Sequence, residues 1–378
     1  MAVAEPDKCT VVRADFDALF GALRKAGYDT YGPTLRDGAI VYDAVTSSGD
    51  LPAGWADQQD PGRYRLRRRD DQALFAYAVG PQSWKRFLHE PGVRLYQISV
   101  GPNSTWKIAP DPPPPRPMAF IGMRACELHA LSIRDRVLLR GKYADPAYRE
   151  ARASVFLVAV HCTHPASSCF CASMNSGPRC PDGYDLAVTE ILEGEHRFLI
   201  ESGTEAGRQV LRQLPRHEAA PEDLDAAEGA LQEASAHVSR TLDTRGLKQH
   251  LYASVEHPAW ERIAGRCMAC GNCTMVCPTC FCTTLEDSSD VTGSTAERRR
   301  FWDSCFSLQF SYIHGGSVRN SVSARYRHRI LHKLTSWWDQ FGTSGCTGCG
   351  RCSTWCPAGI DLTAEIRGLR QSTSGVAI

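Results

Sequence analysis

The chain has 378 residues, 43% of them hydrophobic and 22% charged, which is the profile of folded domains rather than of disorder. Lysine plus arginine number 43 against 42 acidic residues, which argues against a protein that holds nucleic acid through its overall field. No apolar run reaches the roughly 18–20 residues of a membrane span. The N-terminal residues carry neither a basic segment followed by an apolar one nor a twin arginine, so no membrane insertion and a cytoplasmic location are expected.

This length suggests two or three domains in an α+β chain. The expected division is an α/β region over 1–110, a second α/β region over 118–240, and a mostly α-helical ferredoxin-like domain over 241–378. From the start, Phe16, Leu19, Phe20 and Leu23 recur at helical spacing over 14–25, with Gly27 as the stop. Segments 39–43, 64–68 and 74–79 read as strands. The proline run at 112–117 excludes helix and reads as a stiff connector. After it come a buried strand at 118–122, a helix at 130–139 and a strand at 155–160. Strands at 186–190 and 197–201 follow, then a helix at 205–214 and an acidic, alanine-rich exposed helix at 221–237. Segments 297–310 and 322–341 both carry helical patterning.

Seventeen cysteines in a chain expected to lie in a reducing compartment point to metal rather than to disulfides, and eleven of them fall between Cys267 and Cys356. Cys267-Met-Ala-Cys270-Gly-Asn-Cys273-Thr-Met-Val-Cys277-Pro is a C-x2-C-x2-C-x3-C-P run. Cys346-Thr-Gly-Cys349-Gly-Arg-Cys352-Ser-Thr-Trp-Cys356-Pro repeats it. In such runs the first three thiolates hold one [4Fe–4S] cubane and the fourth, before proline, ligates the other. Cys267, Cys270, Cys273 and Cys356 are thus expected to hold one cluster, and Cys346, Cys349, Cys352 and Cys277 a second. Gly271 and Gly350 would let backbone approach the sulfides. Paired zinc sites are the competing reading, but zinc ribbons use two C-x2-C knuckles instead.

The 68 residues between Cys277 and Cys346 far exceed a small ferredoxin's connection and suggest an α-helical ferredoxin. Arg325, Arg327, Arg329, His332 and Lys333 lie in this insert as either a solvated helix face or a docking face for a partner. Arg266 and Arg351, beside the cluster loops, either tune the clusters or are plain surface charge.

Cys126 follows one expected strand, and Cys162, Cys169 and Cys171 follow another. If both strands end at the same sheet edge, these four thiolates make a possible third [4Fe–4S] site; zinc or inert buried thiols are the alternatives. His161 and His164 read as solvated loop residues. Cys280, Cys282 and Cys305 either line the contact between the N-terminal site and the dicluster region or replace a ligand. Cys9 and Cys180 are expected to be unligated.

Gly122-Met-Arg-Ala-Cys126-Glu-Leu-His-Ala, Cys169-Phe-Cys171, Cys277-Pro-Thr-Cys-Phe-Cys282, Trp302-Asp-Ser-Cys305, Arg325-Tyr-Arg-His-Arg and the Cys346 run together resemble the β (iron–sulfur) subunit of cytoplasmic NAD(P)-linked [NiFe] sulfhydrogenases. They are also similar to the iron–sulfur, electron-input subunit of anaerobic sulfite reductase. The resemblance covers about 118–365, and Ala125 stands where this family has proline. It implies a non-catalytic electron relay, with a flavin- and NAD(P)-binding subunit on one side and the small and large subunits of a [NiFe] hydrogenase on the other. The rivals are an electron-input subunit of a sulfite reductase and a self-contained enzyme whose reaction centre is the N-terminal cluster. No G-x-G-x-x-G follows a strand, so NAD(P) is expected on a partner.

Overall fold

A computed structural model describes residues 7–109 and 116–373 of this α+β chain. The proline connector at 112–117 lies largely outside the described residues.

In chain order the strands are β1 (Lys8–Val12), β2 (Asp29–Arg36), β3 (Ala39–Ala44), β4 (Trp55–Asp60), β5 (Arg63–Arg68), β6 (Gly92–Val100), β7 (Trp106–Ile108) and β8 (Met118–Met123). They continue with β9 (Val155–Val160), β10 (Leu186–Ile191), β11 (Arg197–Ser202), β12 (His217–Glu218), β13 (Thr283–Ser289) and β14 (Thr295–Trp302). Eight of them form one mixed sheet in the order β12-β1-β11-β10-β9-β8-β2-β3. Its centre, β2-β8-β9-β10, is parallel, and β3, β11, β1 and β12 add antiparallel. The continuous apolar runs of β8 and β9 are those of strands buried on both faces. One face packs the helix Asp17–Lys25 through Leu19, Phe20 and Leu23. The other packs the helix Ala125–Leu138 through Leu128 and Leu131.

The helix Pro221–His237 is not wholly exposed, because Ala227, Leu231 and Ala234 turn inward. Segment 74–79 is buried but is not a strand. Three of its backbone N–H groups are taken by side chains: the Glu190 carboxylate accepts from Leu74 and Phe75 at 2.6 and 2.8 Å, and Asp57 accepts from Ala78 at 2.7 Å. A buried N–H needs an acceptor, and these carboxylates replace a strand neighbour.

The region after residue 240 is built from short helices around Trp260, Tyr326, Ile330, Leu334 and Leu369. Of the expected helix over 297–310, residues 297–302 lie in strand β14 and the rest is turn. Asp290 closes the β13–β14 hairpin by accepting from the Ser294 and Thr295 N–H groups, and β14 then lies antiparallel on β6, so strand pairing overrides the helical spacing. The helical reading of 322–341 is borne out by an α-helix Val322–Leu331, a π-helical turn His332–Ser336 and a last turn Trp337–Phe341. No helix among the described residues is long and apolar enough to cross a membrane.

Candidate metal centres

Each ferredoxin-like run folds as a loop, a glycine in the left-handed region and a single helical turn. Gly271 precedes Asn272–Met275 and Gly350 precedes Arg351–Thr354, with φ of 72° and 74°. Neighbouring loops crowd both glycines: a Cβ on Gly350 would lie 2.6 Å from the Ser168 carbonyl, and one on Gly271 2.9 Å from the Ser304 hydroxyl.

Cys267, Cys270, Cys273 and Cys356 line one cavity, closed by Phe306, Tyr326 and Arg329. Cys270 is exposed and Met268 beside it is 69% exposed, so this first cavity reaches the surface. Burial pushes the Cys273 thiol up to about 12.

Cys346, Cys349, Cys352 and Cys277 are electrostatic neighbours in a second group, and all but Cys352 are buried. The Gly348 N–H donates to the Cys346 sulfur at 3.4 Å. Lys333 Nζ lies 3.3 Å from the Cys277 sulfur, 2.8 Å from Thr279 Oγ1 and 2.9 Å from the Gly345 carbonyl. A bond from the Cys280 thiol, together with that ammonium, holds Cys277 well below the usual thiol range.

The third group depends on the parallel pairing of β8 with β9, which brings their C-terminal ends to one edge of the sheet. Ligands in open parallel sheets commonly sit at that edge. Cys126 lies in the first turn of the helix after β8, and Cys162 just beyond β9. With Cys169 and Cys171 they line one cavity that Arg124 and Cys349 also border. Arg124 donates to the carbonyls of His161, Phe75 and Tyr77, tying both strand ends to the buried 74–79 segment. Burial pushes Cys171 up to about 12 and Cys126 well above its usual range.

Several basic residues are not where the sequence suggested. Arg325, Arg329 and Lys333 are buried, so they form neither a solvated nor a docking face. Arg351 is fully buried and paired to Glu127 at 2.5 Å, whereas Arg266 is half-exposed and paired to Glu365. His161 and His164 are not solvated: His161 bonds Glu201 and the Cys180 N–H, and His164 lies 3.2 Å from Arg69. Cys280 does line the contact between regions, its carbonyl accepting from Lys85 and Arg134; the free thiols of Cys282 and Cys305 are hydrogen-bonded to each other nearby. Among the described residues no three His, Cys, Asp or Glu side chains converge on a point as one ion requires. A cubane asks for something different, since each of its thiolates binds a separate iron.

A family model for the 4Fe-4S dicluster domain matches residues 266–360, which span both runs and the insert. Sulfhydrogenase 2 subunit beta of Pyrococcus furiosus is 32% identical over 360 residues, covering 94% of this chain and 96% of that protein. The likeness thus extends well beyond 118–365 and into the N-terminal region. No solved structure matches the chain. Binding of [4Fe–4S] clusters fits the donor sets, which are thiols alone, and the unpartnered guanidinium nitrogens of Arg329 at the first cavity.

Proposed function

Because the chain belongs to the family of sulfhydrogenase β subunits, we propose that it is a cytoplasmic electron relay, with a flavin- and NAD(P)-binding subunit on one side and the small and large subunits of a [NiFe] hydrogenase module on the other. Three [4Fe–4S] clusters supply one-electron redox chemistry in this reading. The first is held by Cys267, Cys270, Cys273 and Cys356, and the second by Cys346, Cys349, Cys352 and Cys277. The third is held by Cys126, Cys162, Cys169 and Cys171.

The observation that carries the reading is that the second run borders both other cavities. Cys352 also lines the first, and Cys349 also lines the third. In this reading the sites form a row with the second in the middle, as a relay needs and as independent structural metals do not. The ends of the row differ: Cys270 meets the surface, while Cys126, Cys169 and Cys171 are buried.

Iron analysis of the anaerobically purified chain tests the number of clusters, with about twelve irons per chain expected. Eight would remove the third. Identifying the proteins that travel with the chain tests the role: a flavoprotein with a nickel-bearing large subunit is expected. A siroheme protein without nickel would overturn the hydrogenase assignment.

A further inference from the structure

The insert between the two cysteine runs delivers two buried cations from one helical segment. Arg329 lies near the end of the regular helix Val322–Leu331, and Lys333, four residues on, sits in the π-helical turn His332–Ser336. Both are 4% exposed. A charge so buried is strongly unfavourable unless it meets an opposite charge.

Lys333 reaches Cys277 of the second group, as described above. Arg329 is different. It lines the first cavity, its strongest attractive neighbours are the sulfurs of Cys273 and Cys352, and no carboxylate among the described residues pairs with it. Its Nε and one terminal nitrogen are buried without a hydrogen-bond acceptor among the described residues. Arginine cannot discharge itself by losing a proton, so an anion has to answer these donors. Cys273 belongs to the first group and Cys352 to the second, which puts the guanidinium between the two.

We propose that Arg329 and Lys333 set the reduction potentials of the relay, Arg329 acting on both the first and second clusters and Lys333 on the second alone. The inference rests on the proposed assignment of those two clusters. One-electron reduction makes a site one charge more negative, so a fixed cation beside it favours the reduced form and raises the potential. Neither residue takes part in bond making; both act through position and charge.

The test is an EPR-monitored redox titration of the full iron-loaded chain, with iron counted first. Fewer than eight irons in the unaltered chain would defeat the cluster assignment itself, separately from this inference. With iron retained, Lys333→Gln is expected to lower one potential by at least about 59 mV, a tenfold change in a one-electron equilibrium. Arg329→Gln is expected to lower that potential and a second one. The more exposed of the two is identified by Cys270→Ser, which perturbs the first cluster's signal. Potentials unmoved in both variants at full iron content would overturn the proposal. Should Arg329→Gln shed iron, Arg329→Lys is the deciding variant. Retained iron with near-native potentials supports the charge role, and loss of iron there too means a purely structural one.

Discussion

The two cysteine runs share a backbone but live in opposite surroundings. Ala269 and Gly348 occupy the same place, each just before the second cysteine of its run, and both are left-handed, with φ of 52° and 66°. The glycine two residues later and the helical turn after it also coincide. Yet the first run has an exposed Cys270, whereas Cys346 is buried in the helical core and Cys349 against the α/β region. At the residue after the glycine, Asn272 ties the first run to the second by donating to the Trp355 carbonyl, while Arg351 reaches into the sheet domain to Glu127, Gly80 and Gln82. The motif therefore specifies how thiolates are presented, and the packing decides which site meets solvent and which is sealed inside.

The sharpest way to break this pairing is at Gly348. A Cβ there would stand 2.6 Å from the Phe170 carbonyl and 2.7 Å from the Cys171 N–H nitrogen, both backbone atoms. Gly348→Ala is expected to push the second run off the Cys169–Cys171 loop. Under the three-cluster reading iron falls from about twelve per chain towards four, with the first cluster's EPR signal kept. Full iron content would show that the seating of the two loops does not matter.

Next in size is the Arg351–Glu127 pair, which joins the second run to the helix carrying Cys126. Glu127 also accepts from the Tyr42 hydroxyl at 2.8 Å and the Trp84 indole at 3.2 Å. Removing one partner leaves a buried charge alone, so Arg351→Met should cost about 3–5 kcal/mol in anaerobic denaturant unfolding. The double variant Arg351→Met with Glu127→Gln should recover part of that loss, since no unpaired carboxylate remains. If the double variant loses as much as the sum of the singles, the two side chains are not coupled.

The thiol groups were legible because ligand spacing is local: both runs state their turn and their ligands within eleven residues. The third group was legible only as a possibility, because it needs the parallel pairing of β8 with β9, which no spacing along the chain records. Strand β14 was misread partly for the same reason: besides its hairpin partner β13 it pairs with β6, about two hundred residues earlier. Segment 74–79 looked like a strand because a buried apolar run has the same composition whether its N–H groups meet a ladder or the Glu190 and Asp57 carboxylates. Arg329 and Lys333 were read as surface charge because basic residues on a helix usually are. Their burial is tolerable because Arg329 meets the sulfurs of Cys273 and Cys352, and Lys333 meets Cys277, Thr279 and the Gly345 carbonyl.

The mildest test sharpens the comparison from the other side. Ala269 holds the conformation of Gly348 with a Cβ, which costs an L-residue roughly 1–2 kcal/mol. Glycine would remove that cost but give up about 0.5–1 kcal/mol to the freedom of the unfolded chain. Ala269→Gly should therefore stabilise the protein by about 0.5–1 kcal/mol and leave its iron content unchanged, measured by the same denaturant unfolding. The opposite signs of Ala269→Gly and Gly348→Ala would follow from the left-handed backbone the two positions share, and surroundings would set only the larger size of the loss at Gly348, where the Cβ meets backbone atoms. A clear loss of stability would mean that the Ala269 methyl makes a contact worth more than its strain. The first run would then be as dependent on its neighbours as the second.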